Sequence, residues 1–357
     1  MVDLALVYKH IPKVFGTLAF IVNPIFVYLI FTEKSTRFGN YRYVLLYFAM
    51  FNLVYSIANV AIPIDIHSYR YCFYLFISDG LFVESTDWHL FLVALRCALV
   101  ASSYAVLLSH FIYRYLVIHD STLTRGNFHI YMLMSFGIFL AYTSVWHASC
   151  YFLGSANQET KEYIREDFGK FYGIDSMDRN MIACLYNEGT NFTVIRSWST
   201  TTLWTTISAI SICVFLKLAH MIMRKLENIT GSISRKTSKL QIELLRALIV
   251  QTIIPIFVSF FPCHQLYNPH FQHGFGTVSD YTFERKHFSE FFRPINYVEV
   301  IALGAFAFCD PVAIVMCLPV FRQRVLCKKK AIEKPLPDRP ITTVTRTTAT
   351  TNLGPQN

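Results

Sequence analysis

The sequence predicts an all-α membrane protein, a seven-transmembrane helix bundle with its N-terminus outside and its C-terminus cytoplasmic. Three observations carry this expectation. Of 357 residues, 54% are hydrophobic and only 15% charged, a balance foreign to an ordinary water-soluble enzyme. Windows of about 19 residues pick out seven apolar stretches long enough to cross ~30 Å of hydrocarbon as helices. Lys and Arg then concentrate in the segments that this threading assigns to the cytoplasm: 32–42, 114–128, 224–246 and 321–357. The membrane's cytoplasmic face accounts for the net charge of +9 better than nucleic acid does, because long apolar runs separate the basic groups.

The expected spans are, in order, Val14–Phe31, Tyr43–Ile64, Trp88–Ile118, Ile130–Tyr151, Trp198–Met223, Ala247–Cys263 and Ile295–Val320. No charged, apolar and small-residue series precedes the first, which is expected to act as its own insertion signal. Asn23-Pro24 in the first span and Pro255 and Pro262 in the sixth read as kinks whose freed backbone groups neighbouring helices satisfy. The third span is the organising one. Arg96, Ser103, His110 and Arg114 fall along one helical face, and Phe91, Ala98, Ala105 and Ile112 line the opposite face. Charges facing lipid are expensive, so this helix is expected to be surrounded by others.

Two outer segments are long, 154–197 and 264–293, and loops of that length are seldom mere connectors. The sequon at Asn191 falls on the outer side and is the glycosylation candidate; the one at Asn228 falls inside. The nine cysteines contain no CxxC pair, and neither metal nor other cofactor is expected. Cys72 and Cys184, with Cys150 or Cys263, lie toward the oxidising side, where a disulfide and buried thiols are both open readings. The receptor domain, 1–330, ends in a basic amphipathic piece from Phe321 to Lys330 suited to membrane lipid, with Cys327 an acylation candidate. Residues 331–357 form a Thr-rich cytoplasmic tail expected to be disordered, either phosphorylated to recruit an arrestin-like regulator or merely solvated.

Local motifs add specificity. His110-Phe111-Ile112-Tyr113-Arg114-Tyr115 closes the third span, and Phe38-Gly39-Asn40-Tyr41-Arg42-Tyr43 precedes the second. The sixth opens at Leu240 and runs through Gln251 to Pro255, and Asp310-Pro311 stands ahead of Phe321-Arg322. Together with Asn23-Pro24, these make the sequence resemble the nematode serpentine chemoreceptors of the Str superfamily over most of its length. The resemblance implies an olfactory or gustatory G-protein-coupled receptor of the plasma membrane, in the cilium of sensory neurons. It would bind a small-molecule cue outside and activate a heterotrimeric G protein inside through Tyr113, Arg114 and Tyr115, beside Arg224 and Lys225. Asp310, Pro311, Pro255 and Gln251 are the candidate switch and kink residues. Tyr113 stands where rhodopsin-like receptors carry an acidic residue, so a carboxylate–Arg lock is not expected.

Arg96 lies 18 residues before Arg114, ~27 Å along a helix, and Glu299 lies 20 residues before Pro319, ~30 Å. Both therefore fall at similar depth in the outer half. They are expected to share a pocket, as an ion pair or as charged anchors for a polar cue, with Ser103 and Tyr297 as further candidates; a purely structural pair is the other reading. A multi-pass transporter or ligand-gated channel is the alternative function. No HExxH or GxSxG motif is present, and catalysis is not expected.

Overall fold

Helix α3 (Asp87–Ile118) sits at the centre of the molecule, with 72% of its membrane-length window buried, against 11% for Phe128–Leu153 and 22% for Asn191–Asn228. Its start is fixed by Thr86, whose side chain accepts from the His89 amide, and by Asp87, whose charge suits the first turn. The computed structural model describes residues 4–33, 39–77, 79–229, 241–253, 256 and 281–326, with backbone alone for 4–9 and 281–297. Among these, six helices are long and apolar enough to cross a membrane. They belong to α1 (Leu4–Thr32), α2 (Tyr41–Ala61), α3, α5 (Phe128–Ala148, running on through a π turn), α7 (Asn191–Ile229) and α9 (Tyr281–Cys317). Shorter helices are α4 (Thr122–Arg125), α6 (Gln158–Tyr172) and α10 (Pro319–Val325). The expected sixth span begins as α8, 241–253; Pro255, Pro262 and Cys263 lie outside the described residues.

The apolar core joins Phe26 of α1, Phe48 of α2, Val106 of α3, Tyr131 of α5, Leu244 of α8, Phe306 of α9 and Phe321 of α10. Large apolar side chains such as Ile25, Leu133, Ile210 and Leu216 point outward, as a hydrocarbon surround allows. Close approach of α1 and α9 depends on Gly304, where a Cβ would lie 2.6 Å from the Pro12 backbone. Asn23 ties the same two helices, donating to the Ala307 carbonyl at 3.1 Å.

The bundle carries one addition that an all-helical expectation lacks. A three-stranded antiparallel sheet in the order β1-β2-β3 joins β1 (Ile64–Tyr69), β2 (Cys72–Ile77) and β3 (Met181–Leu185) at the end where α3 starts. The β1–β2 turn is two residues long and places Arg70 at φ 48°. One face of the sheet packs on Val93, Ala94 and Cys97 of α3. The other carries Tyr74, Phe76 and Leu185 and is covered by Ile164 and Phe168 of α6. Helix α6 begins at Asn157, whose side chain accepts from the Thr160 amide, and ends at Gly173 with φ 68°. Cys72 pairs in register with Leu185 and Cys184 with Phe73, so the two thiols lie on opposite faces and do not join each other.

Two further expectations change. Helix α9 begins at Tyr281 rather than near Ile295, so the last part of the expected outer loop is helical. The seventh span does not run on to Val320: it ends at Cys317, because Leu318 precedes a proline and takes extended angles before Pro319 opens α10. In the basic piece after it, Arg324 reaches the Leu29 carbonyl and Glu33 at the end of α1. Lys328 to Lys330, Cys327 and the tail lie outside the described residues.

Candidate functional site

The polar face of α3 meets partners at two ends of the bundle. At the sheet end, Arg96 is completely buried. Its Nη2 donates to the Asn59 Oδ1 at 2.8 Å, and its guanidinium lies 4.5 Å from the centre of the Tyr55 ring. Asn59 is held in turn by donating to the Pro12 carbonyl, and Tyr55 by donating to the Leu303 carbonyl at 3.0 Å. Arg96 is thus fixed by α2, which is itself braced on α1 and α9. Its Nε and Nη1 have no hydrogen-bond partner among the described residues.

Arg96 and Asn59 line a narrow, open cleft with Pro12, Lys13, Ile64, Val300 and Leu303, whose enclosed volume, about 20 Å³, is that of a single water. Lys13 on α1 reaches Asp79, in the link to α3, at 3.0 Å and closes one side. Glu299 is buried on α9 beside the lining residue Val300, and among the described residues neither of its carboxylate oxygens has a hydrogen-bond partner. The ion-pair form of the Arg96–Glu299 expectation is not what the structure contains, because Asn59 and Tyr55 take the guanidinium instead. Ser103, two turns along α3, is buried and donates to the Val100 carbonyl of its own helix. The Tyr297 side chain lies outside the described ones.

At the opposite end, Arg114 is also buried, and among the described residues no carboxylate forms a salt bridge with it. Its Nη1 donates to the Gln241 Oε1 at 2.8 Å, and its guanidinium lies 3.5 Å from the Tyr41 ring centre. Tyr41 stacks on Tyr113 at 5.3 Å and meets the His110 Nδ1 at 3.1 Å. Tyr113 packs on Tyr131 as well, so this aromatic group spans α2, α3 and α5. Tyr115 turns toward His119, while Arg224 is exposed and Lys225 half-buried on the last turns of α7.

Deeper on α9, Asp310 is buried next to Pro311, and its main-chain carbonyl accepts from Gln251 of α8 at 3.4 Å. Sequence reasoning brought forward Arg96 and Arg114 but not their partners Asn59, Tyr55 and Tyr41, nor Lys13–Asp79. Polarity inside an apolar span was a signal for Asn59; Tyr41 stood in the motif before the second span with nothing to tie it to Arg114, and nothing local marked Tyr55.

Residues 2–325 match the family described as serpentine type 7TM GPCR chemoreceptor Srj. The chain is 51% identical over 320 residues to serpentine receptor class J-38 of Caenorhabditis elegans, covering 89% of this chain and 92% of that one. It is 26% identical over 251 residues to serpentine receptor class r-10 and 23% identical over 251 residues to G-protein coupled receptor str-33, both from the same nematode. These matches cover 69% and 68% of this chain, and 73% and 72% of the relatives. With nearly the whole described bundle inside the matched range, the chain belongs to the Srj family of serpentine seven-transmembrane, G-protein-coupled chemoreceptors.

Proposed function

We infer that this receptor binds a small environmental or pheromone-like cue in the cleft at Arg96 and activates a heterotrimeric G protein at the Arg114 end. The sheet end faces outside and the α4 end the cytoplasm, in the plasma membrane of sensory neurons and their cilia. One observation carries the reading: Arg96 and Arg114 are buried on one polar face of the central helix, ~27 Å apart, the first lining a cleft and the second latched to another helix. A ligand that moves α3 at the cleft shifts the balance between latched and released arrangements, and only the released one admits the G protein. Arg224 and Lys225, on the same end, complement its acidic surface. The Thr-rich tail is the docking strip for an arrestin-like regulator.

The test is guanine-nucleotide exchange. Receptor reconstituted with a set of Gα subunits is expected to accelerate exchange with members of a small-molecule library. Compound-driven flux across sealed liposomes without exchange on any Gα would show a transporter or channel instead.

A further inference from the structure

The Arg96 cleft also bears on the chemical class of the cue, a step that rests on the receptor reading above. Its charges are unequally matched. Lys13 and Asp79 neutralise each other at 3.0 Å, and Asp65 has a partner of its own. Among the described residues Arg96 has only an amide and an aromatic face, with Nε and Nη1 unpartnered although the side chain is wholly buried. Glu299, buried on α9 next in sequence to the lining residue Val300, makes no hydrogen bond to it.

A dry guanidinium with unspent donors is costly, and a planar oxyanion is the group that its fork fits best. The rest of the lining is apolar: Pro63, Ile64, Val300 and Leu303. We propose that the ligand is a small organic acid, its carboxylate on Arg96 and its hydrocarbon part against Ile64, Val300 and Leu303. The Asn59 and Tyr55 contacts hold the guanidinium in place before the ligand arrives, so little ordering is left for binding to supply. The Lys13–Asp79 pair, about a third exposed, borders the cleft on the side that it closes.

The test uses the full chain in lipid nanodiscs, with acetate, butyrate, hexanoate and benzoate as probes beside their methyl esters. Dissociation constants are read from the shift of the thermal unfolding midpoint with concentration. At least one acid is expected to bind, with its ester about tenfold weaker or worse. Arg96→Gln should weaken that acid about 10- to 100-fold, the worth of charge-assisted hydrogen bonds. Arg96→Lys, which keeps the charge without the fork, should fall between and serves where the glutamine variant does not fold. The proposal is overturned if no acid stabilises the wild type, if acids and esters bind alike, or if the Lys variant binds the acid as the wild type does. Exchange measured alongside separates the two readings. Arg96-dependent acid binding with no exchange on any Gα keeps the anion site and removes the receptor function; exchange driven equally by acids and esters does the reverse.

Discussion

Replacing Gln241 by Leu removes the group that holds Arg114 to α8 and keeps roughly the same bulk. Arg114 is 3% exposed, and its Nε and Nη2 lack partners among the described residues, so loss of the 2.8 Å bond from Nη1 leaves the guanidinium without a hydrogen bond to any of them in the latched state. A hydrogen bond to a charged group contributes about 1.5–3 kcal/mol. Removing it from the latched state alone multiplies the released-to-latched ratio by about 10–100. The Tyr41 ring, 3.5 Å from the guanidinium, still attracts it, which places the expected rise toward the lower end. Basal nucleotide exchange without ligand, normalised to surface receptor, is the readout. A Tyr41→Phe control keeps the ring over Arg114, loses only the contact to His110, and should move basal exchange much less. Unchanged or reduced basal exchange in Gln241→Leu at normal surface level would refute the latch.

Two further substitution and pH tests follow from packing and from the outer segment. Gly304→Ala puts a methyl group 2.6 Å from the Pro12 backbone, which cannot swing aside, and should cost about 1–3 kcal/mol, read as a lower unfolding midpoint. Gly137→Ala meets nothing within 4 Å and should leave the midpoint unchanged or raised; equal effects at the two sites would contradict the packing account. Near α6, donation from the Thr193 hydroxyl and the Thr190 amide holds the Glu159 carboxyl below its usual range, and Arg165, with the Met177 amide, does the same for Asp175. Since folding lowers both values, their support is complete above the ordinary carboxylate range near ~4 and is lost as pH falls through the depressed values. Hydrogen-exchange protection of α6 should therefore fall on acidification below that range, and less steeply in Glu159→Gln with Asp175→Asn. Protection that rises on acidification would refute the assignment.

The spans were legible where burial in lipid or protein imposes long apolar runs, and α3 stood out because its polar residues recur at helical spacing. The sheet was not legible. Its hairpin turns through Arg70-Tyr71, neither of them a usual turn residue, and β2, Cys-Phe-Tyr-Leu-Phe-Ile, lacks alternation because both of its faces are covered. Arg96 and Arg114 were visible as charges in an apolar helix, but their partners lie 37 and 127 residues away, beyond any local pattern. Glu299 shows the limit of depth arithmetic: it says nothing of which way the side chains turn, and Asn59 takes the place expected for the carboxylate. The break at Leu318 was readable in principle, since a residue before proline resists the helical conformation.

The threading underlies every functional statement, and it can be measured without knowing the ligand. Asn191 is exposed at the start of α7 on the sheet end, and Asn228 is exposed at the other end of the same helix. Mass spectrometry of receptor taken from the cell surface should find glycan on Asn191 and none on Asn228. Glycan on Asn228 with Asn191 bare would put Arg114 outside and the Arg96 cleft in the cytoplasm, and would contradict the account.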